Sequence, residues 1–165
     1  MESLIQTTAK FTLQIVFILM ISCGSSSETG TIQPPNSTIE KASIVSVSVS
    51  GNENAYTFSV GVASPDKGCN QYANWWEVVS ENSELIYRRI LAHSHVNEQP
   101  FTRSGGSVSI TKDQVVIVRV HMNTSGYGTK TFKGSVTNGF VAFETEQDFA
   151  TNLATQAPLP SGCAF

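Results

Sequence analysis

Three histidines carry the most obvious chemistry in the chain. His93 and His95, in Ala92-His93-Ser94-His95-Val96, project from one face of an extended backbone, because side chains alternate along a strand. With His121 at the end of a later strand they make an H-x-H pair plus a third imidazole, a donor set suited to copper or zinc. Met122 is a soft donor, but beside His121 in a strand it faces the other way. The competing reading is plain: hydrogen-bonded polar residues at a strand end.

A second constellation is cationic and aromatic. Val96-Asn97-Glu98-Gln99-Pro100-Phe101-Thr102-Arg103-Ser104-Gly105-Gly106 is long for a hairpin connection and lacks strand periodicity, so it reads as a loop. Together with Arg88, Arg89, His93 and His95, its Phe101 and Arg103 make a surface for a carboxylate, a sulfate or a glycan. The alternative is a structural crossover between sheets. Asn123-Thr124-Ser125-Gly126-Tyr127-Gly128 offers Tyr127 either as a platform for a sugar or as a corner residue tying down a turn. No G-x-S-x-G, H-E-x-x-H or P-loop is present. Ser109-Ile110-Thr111-Lys112 has the S-x-x-K spacing in a chain far too small for the enzymes that use it. No obvious acid/base carboxylate pair stands out, so the expectation is a protein that is not an enzyme.

Composition narrows the classes further. Of 165 residues only 14% are charged, well below the roughly 25% of ordinary soluble domains, and the net charge is −3. A coiled coil and a charge-driven disordered chain are excluded, and no electrostatic reason exists to expect nucleic acid as a partner.

The first 22 residues read as an export signal. Lys10 precedes an eleven-residue, mostly apolar run, Phe11–Ile21, too short for a helix that spans a bilayer with about 20 apolar residues. Met20-Ile21-Ser22-Cys23 then resembles the lipobox of bacterial lipoproteins. That resemblance implies lipidation of Cys23 and a membrane contact through the N-terminal lipid, in the bacterial cell envelope. The expectation is the outer membrane, on its periplasmic or its surface face. Residues 23–41 follow as lipidated cysteine and flexible tether, poor in apolar side chains. Their small and acidic start is similar to the surface-export signals of lipoproteins from the Bacteroidota.

If Cys23 carries lipid or is removed, Cys69 and Cys163 remain, and an exported chain enters a compartment where disulfides persist. A Cys69–Cys163 bridge is therefore expected, pinning the C-terminal tail to an early loop; two separate thiols are the alternative.

The elements that must position these groups are strands. Val45, Val47 and Val49 alternate with small residues, as do Tyr56, Phe58, Val60 and Val62, around a turn at Gly51-Asn52-Glu53-Asn54. Further strands are predicted at Trp75–Val79, Glu84–Leu91, Ser107–Ile110, Val115–Met122, Lys130–Val136 and Phe140–Phe143, with one or two helical turns within Glu144–Ala154. Seven or so short strands make residues 42–165 an all-β, immunoglobulin-like sandwich. Val116-Ile117-Val118-Arg119-Val120-His121-Met122-Asn123, followed by a Gly-containing turn, resembles a late strand of fibronectin type III domains, and Trp75/Trp76 match that fold's early core tryptophan. The resemblance covers about half of the mature chain and implies a fold, not a function. The expectation is a lipid-anchored binding or structural module for an unknown protein or glycan, with a copper or zinc protein as the alternative.

Overall fold

A computed structural model describes residues 41–164. The export signal, the lipobox with Cys23 and most of the tether lie outside the described residues. The strands are β1 (Ser43–Asn52), β2 (Ala55–Ala63), β3 (Ala73–Ser80), β4 (Leu85–Ile90), β5 (Phe101–Val108), β6 (Val116–Met122), β7 (Gly126–Tyr127), β8 (Lys130–Ser135) and β9 (Gly139–Glu144). One sheet runs β1-β2-β5. The other runs β4-β3-β6-β8-β9, with the short β7 paired to β6, and every pairing is antiparallel.

The two sheets pack face to face, and the period-two pattern decides what lies between them. Tyr56, Phe58, Val60 and Val62 from β2 meet Trp76 and Val78 from β3 and Val116, Val118, Val120 and Met122 from β6. Phe101 and Val108 of β5 close one side of this core. Each such side chain contributes about 1.5–3 kcal/mol by leaving water, so the alternation fixes register as well as fold.

β3 departs from simple alternation, because all eight of its residues are buried. The outward-facing Val79 lies under a second small core formed with Ala150, Leu153, Leu85 and Phe149. A 3-10 turn at Thr151–Thr155 carries Leu153 into that contact. The C-terminal segment thus forms a third layer over the outside of the large sheet.

Cys69 and Cys163 form a disulfide, with Cα atoms 5.6 Å apart across a sequence separation of 94. It fastens the end of that segment to the loop before β3.

One expected boundary needs correction. Residues 96–106 do not form one long loop: from Phe101 onward they are β5, paired with β2 from Tyr56↔Val108 to Val62↔Phe101. The strand is hidden in the sequence because Gly105 stands where an apolar side chain would mark the face. A Cβ there would lie 2.6 Å from the Tyr87 hydroxyl and 3.1 Å from the Arg89 side chain, so glycine leaves room for these two β4 side chains to lie over β5.

Candidate functional site

Two polar constellations stand on this scaffold, and the register explains the first. Glu77 of β3 pairs across the ladder with Arg88 of β4 and Arg119 of β6, and cross-strand partners share a face. Arg88 Nε donates to one carboxylate oxygen at 2.7 Å and Arg119 Nε to the other at 2.8 Å. All three side chains are buried.

Two guanidinium groups on one carboxylate leave an excess buried positive charge, which the C-terminal segment's backbone meets. Arg119 donates to the carbonyls of Phe149 (2.6 Å) and Ala150 (2.9 Å). Arg88 donates to those of Leu153 (2.7 Å), Gln156 (2.5 Å) and Pro158 (3.1 Å).

Aromatic rings complete the layer. Tyr127 lies 3.5 Å from the Arg119 guanidinium, and its hydroxyl accepts from Arg88 at 3.4 Å. Burial first, and then Glu77, push the Tyr127 hydroxyl up to about 12. Trp75 lies beneath Arg88 at 4.5 Å and stacks on His121 with ring centroids 3.8 Å apart. Burial, reinforced by Arg88 and Arg119, pushes His121 down from 6.5 to about 3. The imidazole is therefore neutral, and its Nδ1–H donates to Asn74 Oδ1 at 2.8 Å.

The second constellation lies at one end of the sandwich, where the loop before β3 meets the loop before β5. Asp66 is buried and organises both. Its Oδ1 accepts from the Ala73 N–H at 2.9 Å, and its Oδ2 accepts from the His95 N–H at 2.8 Å and from the Ser94 hydroxyl at 3.4 Å. The Ser94 oxygen in turn accepts from the Gly68 N–H, next to the disulfide. The His95 ring stacks on Phe101 at 3.7 Å, with His93 4.5 Å away on the same ring. Arg103 lies 5.4 Å from the Phe101 centroid and forks onto Glu98 at 2.7 and 3.1 Å. That hydrogen bond holds the Glu98 carboxyl below its ordinary range.

His95 is the exception in this tied-down region. Its side chain is 2% exposed, yet neither ring nitrogen has a hydrogen-bond partner. The nearest carboxylate oxygen, Asp66 Oδ2, is 3.9 Å from Nδ1, beyond hydrogen-bonding range. Burial, then Arg103 and His93, lower its affinity for a proton against the opposing pull of Asp66 and Glu98. A neutral imidazole keeps one donor and one acceptor, and both are unspent here. An open cleft of about 400 Å³ adjoins the ring, lined by Gly68, His93, Ser94, His95, Val96, Asn97 and Glu98.

The expected site residues therefore divide. His93, His95, Phe101 and Arg103 come together at the loop end, with Phe101 as buried floor rather than exposed contact. Arg89 is exposed and donates to the Ser104 carbonyl. Arg88, expected on that surface, and Tyr127, read as a sugar platform or a corner residue of a second loop, are instead consumed by the buried network, and so is His121. The three imidazoles do not form a common ligand set: no group of three His, Cys, Asp or Glu side chains among the described residues is placed to hold a metal ion. Sequence reasoning missed Asp66, Glu77, Glu98 and Arg119. Glu77 and Arg119 left a signal, each a lone charge inside an apolar run, Trp75–Val79 and Val115–Val120.

No family model matches the chain, and no solved structure matches it. The chain is similar to a protein of Halomicrobium mukohataei described as a "Putative lipoprotein", 32% identical over 124 residues. The match takes in 74% of this chain and 56% of that protein, so the chain spans little more than half the length of the relative.

Proposed function

We propose that the protein is an exported lipoprotein, held to a membrane through lipid on Cys23, whose sandwich serves as a non-enzymatic binding module. The likeness to a protein described as a lipoprotein supports the anchor. So do the eleven-residue apolar leader ending at Met20-Ile21-Ser22-Cys23 and the disulfide, which fits an oxidising compartment. The outer membrane is the membrane proposed, from the small, acidic stretch after Cys23 that resembles surface-export signals. For the domain, β1, β2 and β5 lie in one sheet and β3, β6 and β8 in the other, the division of strands A, B, E and C, F, G in immunoglobulin-like sandwiches. That division supports the immunoglobulin or fibronectin type III reading, although β4 joins β3 rather than the three-stranded sheet.

The binding role rests on one observation: a buried His95 with both ring nitrogens unspent beside an open cleft. A partner that both donates and accepts, such as a glycan hydroxyl or a polar protein side chain, suits a neutral imidazole in the wall of that cleft. Labelling cells with a radioactive fatty acid tests the anchor: label on the wild type and none on Cys23→Ser is expected, and label retained by the variant overturns it. Amide shifts at Gly68, Ser94 and Asn97 in a glycan titration, lost in His93→Ala, test the cleft.

The copper or zinc reading keeps one favourable feature, the two imidazoles of His93 and His95 packed 4.5 Å apart. It now stands without His121. Titration with Cu²⁺ decides it: one equivalent bound by the wild type and none by His93→Ala favours it, and equal binding by both removes it.

A further inference from the structure

β9 ends the large sheet. On one side it pairs with β8 without interruption, from Lys130↔Glu144 to Ser135↔Gly139, and on the other no strand pairs with it among the described residues. Proteins commonly blunt such an edge with lysine, proline or a bulge, because its open backbone groups template another strand. β9 has none of these. It reads Gly139-Phe140-Val141-Ala142-Phe143-Glu144, and its register with β8 is regular. Phe140 anchors it inward, edge-on to Phe58 at 5.6 Å. Val141 and Phe143 point the other way and are 67% and 40% exposed.

The surroundings say what such an edge would accept. Beside Phe143 lies a cleft of about 260 Å³ with Ile117 and Phe149 in its walls and the carboxylates of Glu81, Glu144 and Glu146 around it. Lys133 is the one basic group in that lining, and Glu81 holds it at 2.7 Å. Three carboxylates against one ammonium leave a net negative rim around an apolar slot.

From this edge, slot and rim we infer that β9 is a strand-addition site for an extended segment of a partner protein. That segment has apolar side chains at alternate positions and Lys or Arg at the end that lies beside Glu144. Backbone pairing along β9 supplies the main contact, alternate apolar side chains pack against exposed Val141 and Phe143, and the basic end that lies beside the C-terminal end of β9 meets Glu144 and Glu146. The charge of the rim selects this occupant over two others. The β9 strand of a second copy brings no basic residue to it, and neither does the tether, whose residues 24–40 carry two acidic and no basic side chain and whose last residue, Lys41, is held by the Tyr127 carbonyl. The inference concerns a surface distinct from the His95 cleft and does not depend on it.

A fluorescent peptide with alternating valine and threonine between terminal lysines, titrated into the full chain, tests the proposal by anisotropy. Saturable binding is expected, weakened at least tenfold when glutamates replace the terminal lysines. Val141→Lys and Glu146→Lys, both on exposed positions, are expected to weaken it by a similar factor while the melting temperature stays unchanged. Equal affinity for both peptides, or binding to neither, overturns the proposal. So does peptide-free dimerisation abolished by Val141→Lys, which assigns the edge to a second copy. Binding seen only after deletion of residues 24–40 assigns it to the tether and overturns it as well.

Discussion

The outer face of the large sheet and the loop end of the sandwich use the same kinds of side chain to opposite effect. Over Glu77, two arginines, a tyrosine and a histidine are held by each other, by Asn74 and by five backbone carbonyls of the C-terminal segment, and only the Trp75 indole N–H that stacks among them has no hydrogen-bond partner. At the loop end, arginine, phenylalanine and two histidines leave a buried imidazole with nothing to bond. A polar group satisfied by its own chain gives structure, and one buried without a partner has chemistry to spare. The comparison makes the residue types alone poor evidence of function.

The saturated face should fail hardest when its centre is removed. Glu77→Gln leaves two buried guanidinium groups facing a neutral amide. Breaking a buried ionic network in this way costs about 3–5 kcal/mol. Denaturant unfolding should show that loss, and a variant within 1 kcal/mol of wild type would mean that the carbonyls alone support the arginines. The strap over that face depends next on the disulfide. Closing a span of this length stabilises by up to about 4–5 kcal/mol in the chain-entropy model. Cys163→Ser should therefore lower the unfolding midpoint by a margin that reductant reproduces in the wild type. If reductant has no effect, the network over Glu77 holds the segment without help.

How much of this was legible follows from locality. The alternation around Val45 to Val49 and Tyr56 to Val62 is a property of neighbours in sequence, and β1 and β2 follow from it. The disulfide followed from counting cysteines. β5 was obscured because Gly105 yields its side chain to Tyr87 and Arg89 from another strand. Arg88 and Tyr127 looked like surface residues because what buries them arrives from Phe149 to Pro158, far along the chain. Nothing near either residue announces that cover. Likewise, Asp66 reads as one more loop acid until the fold brings Ala73 and His95 to its two oxygens.

Acid provides a gentler probe of the same contrast. His121 binds protons in the unfolded chain near 6.5 but in the folded one only near 3, so the unfolded state holds more protons between those values. Stability is therefore lost as pH falls through that window, at up to about 1.4 kcal/mol per pH unit. His95 acts in the same direction, because its affinity is lowered too. Between pH 6.5 and pH 5, above the ordinary carboxylate range, His121→Gln should remove up to about 2 kcal/mol of the wild type's acid sensitivity. Equal sensitivity in the two proteins would mean that His121 is not held neutral by the Arg88 and Arg119 layer.

The smallest effect separates the two regions most sharply, because its sign should reverse. Phenylalanine has nearly the shape of histidine and can keep the stack on Phe101, while the backbone N–H of residue 95 still reaches Asp66. His95→Phe deletes two buried nitrogens that bond nothing, which should stabilise the fold by about 1 kcal/mol and raise the melting temperature by a few degrees. The matching change in the saturated layer, His121→Phe, keeps its stack on Trp75 but strips Asn74 of its donor. It should destabilise by about 1–2 kcal/mol. If both variants lose stability, the His95 ring is serving the fold in the same way as His121, and the cleft beside it has no chemistry left to offer a ligand.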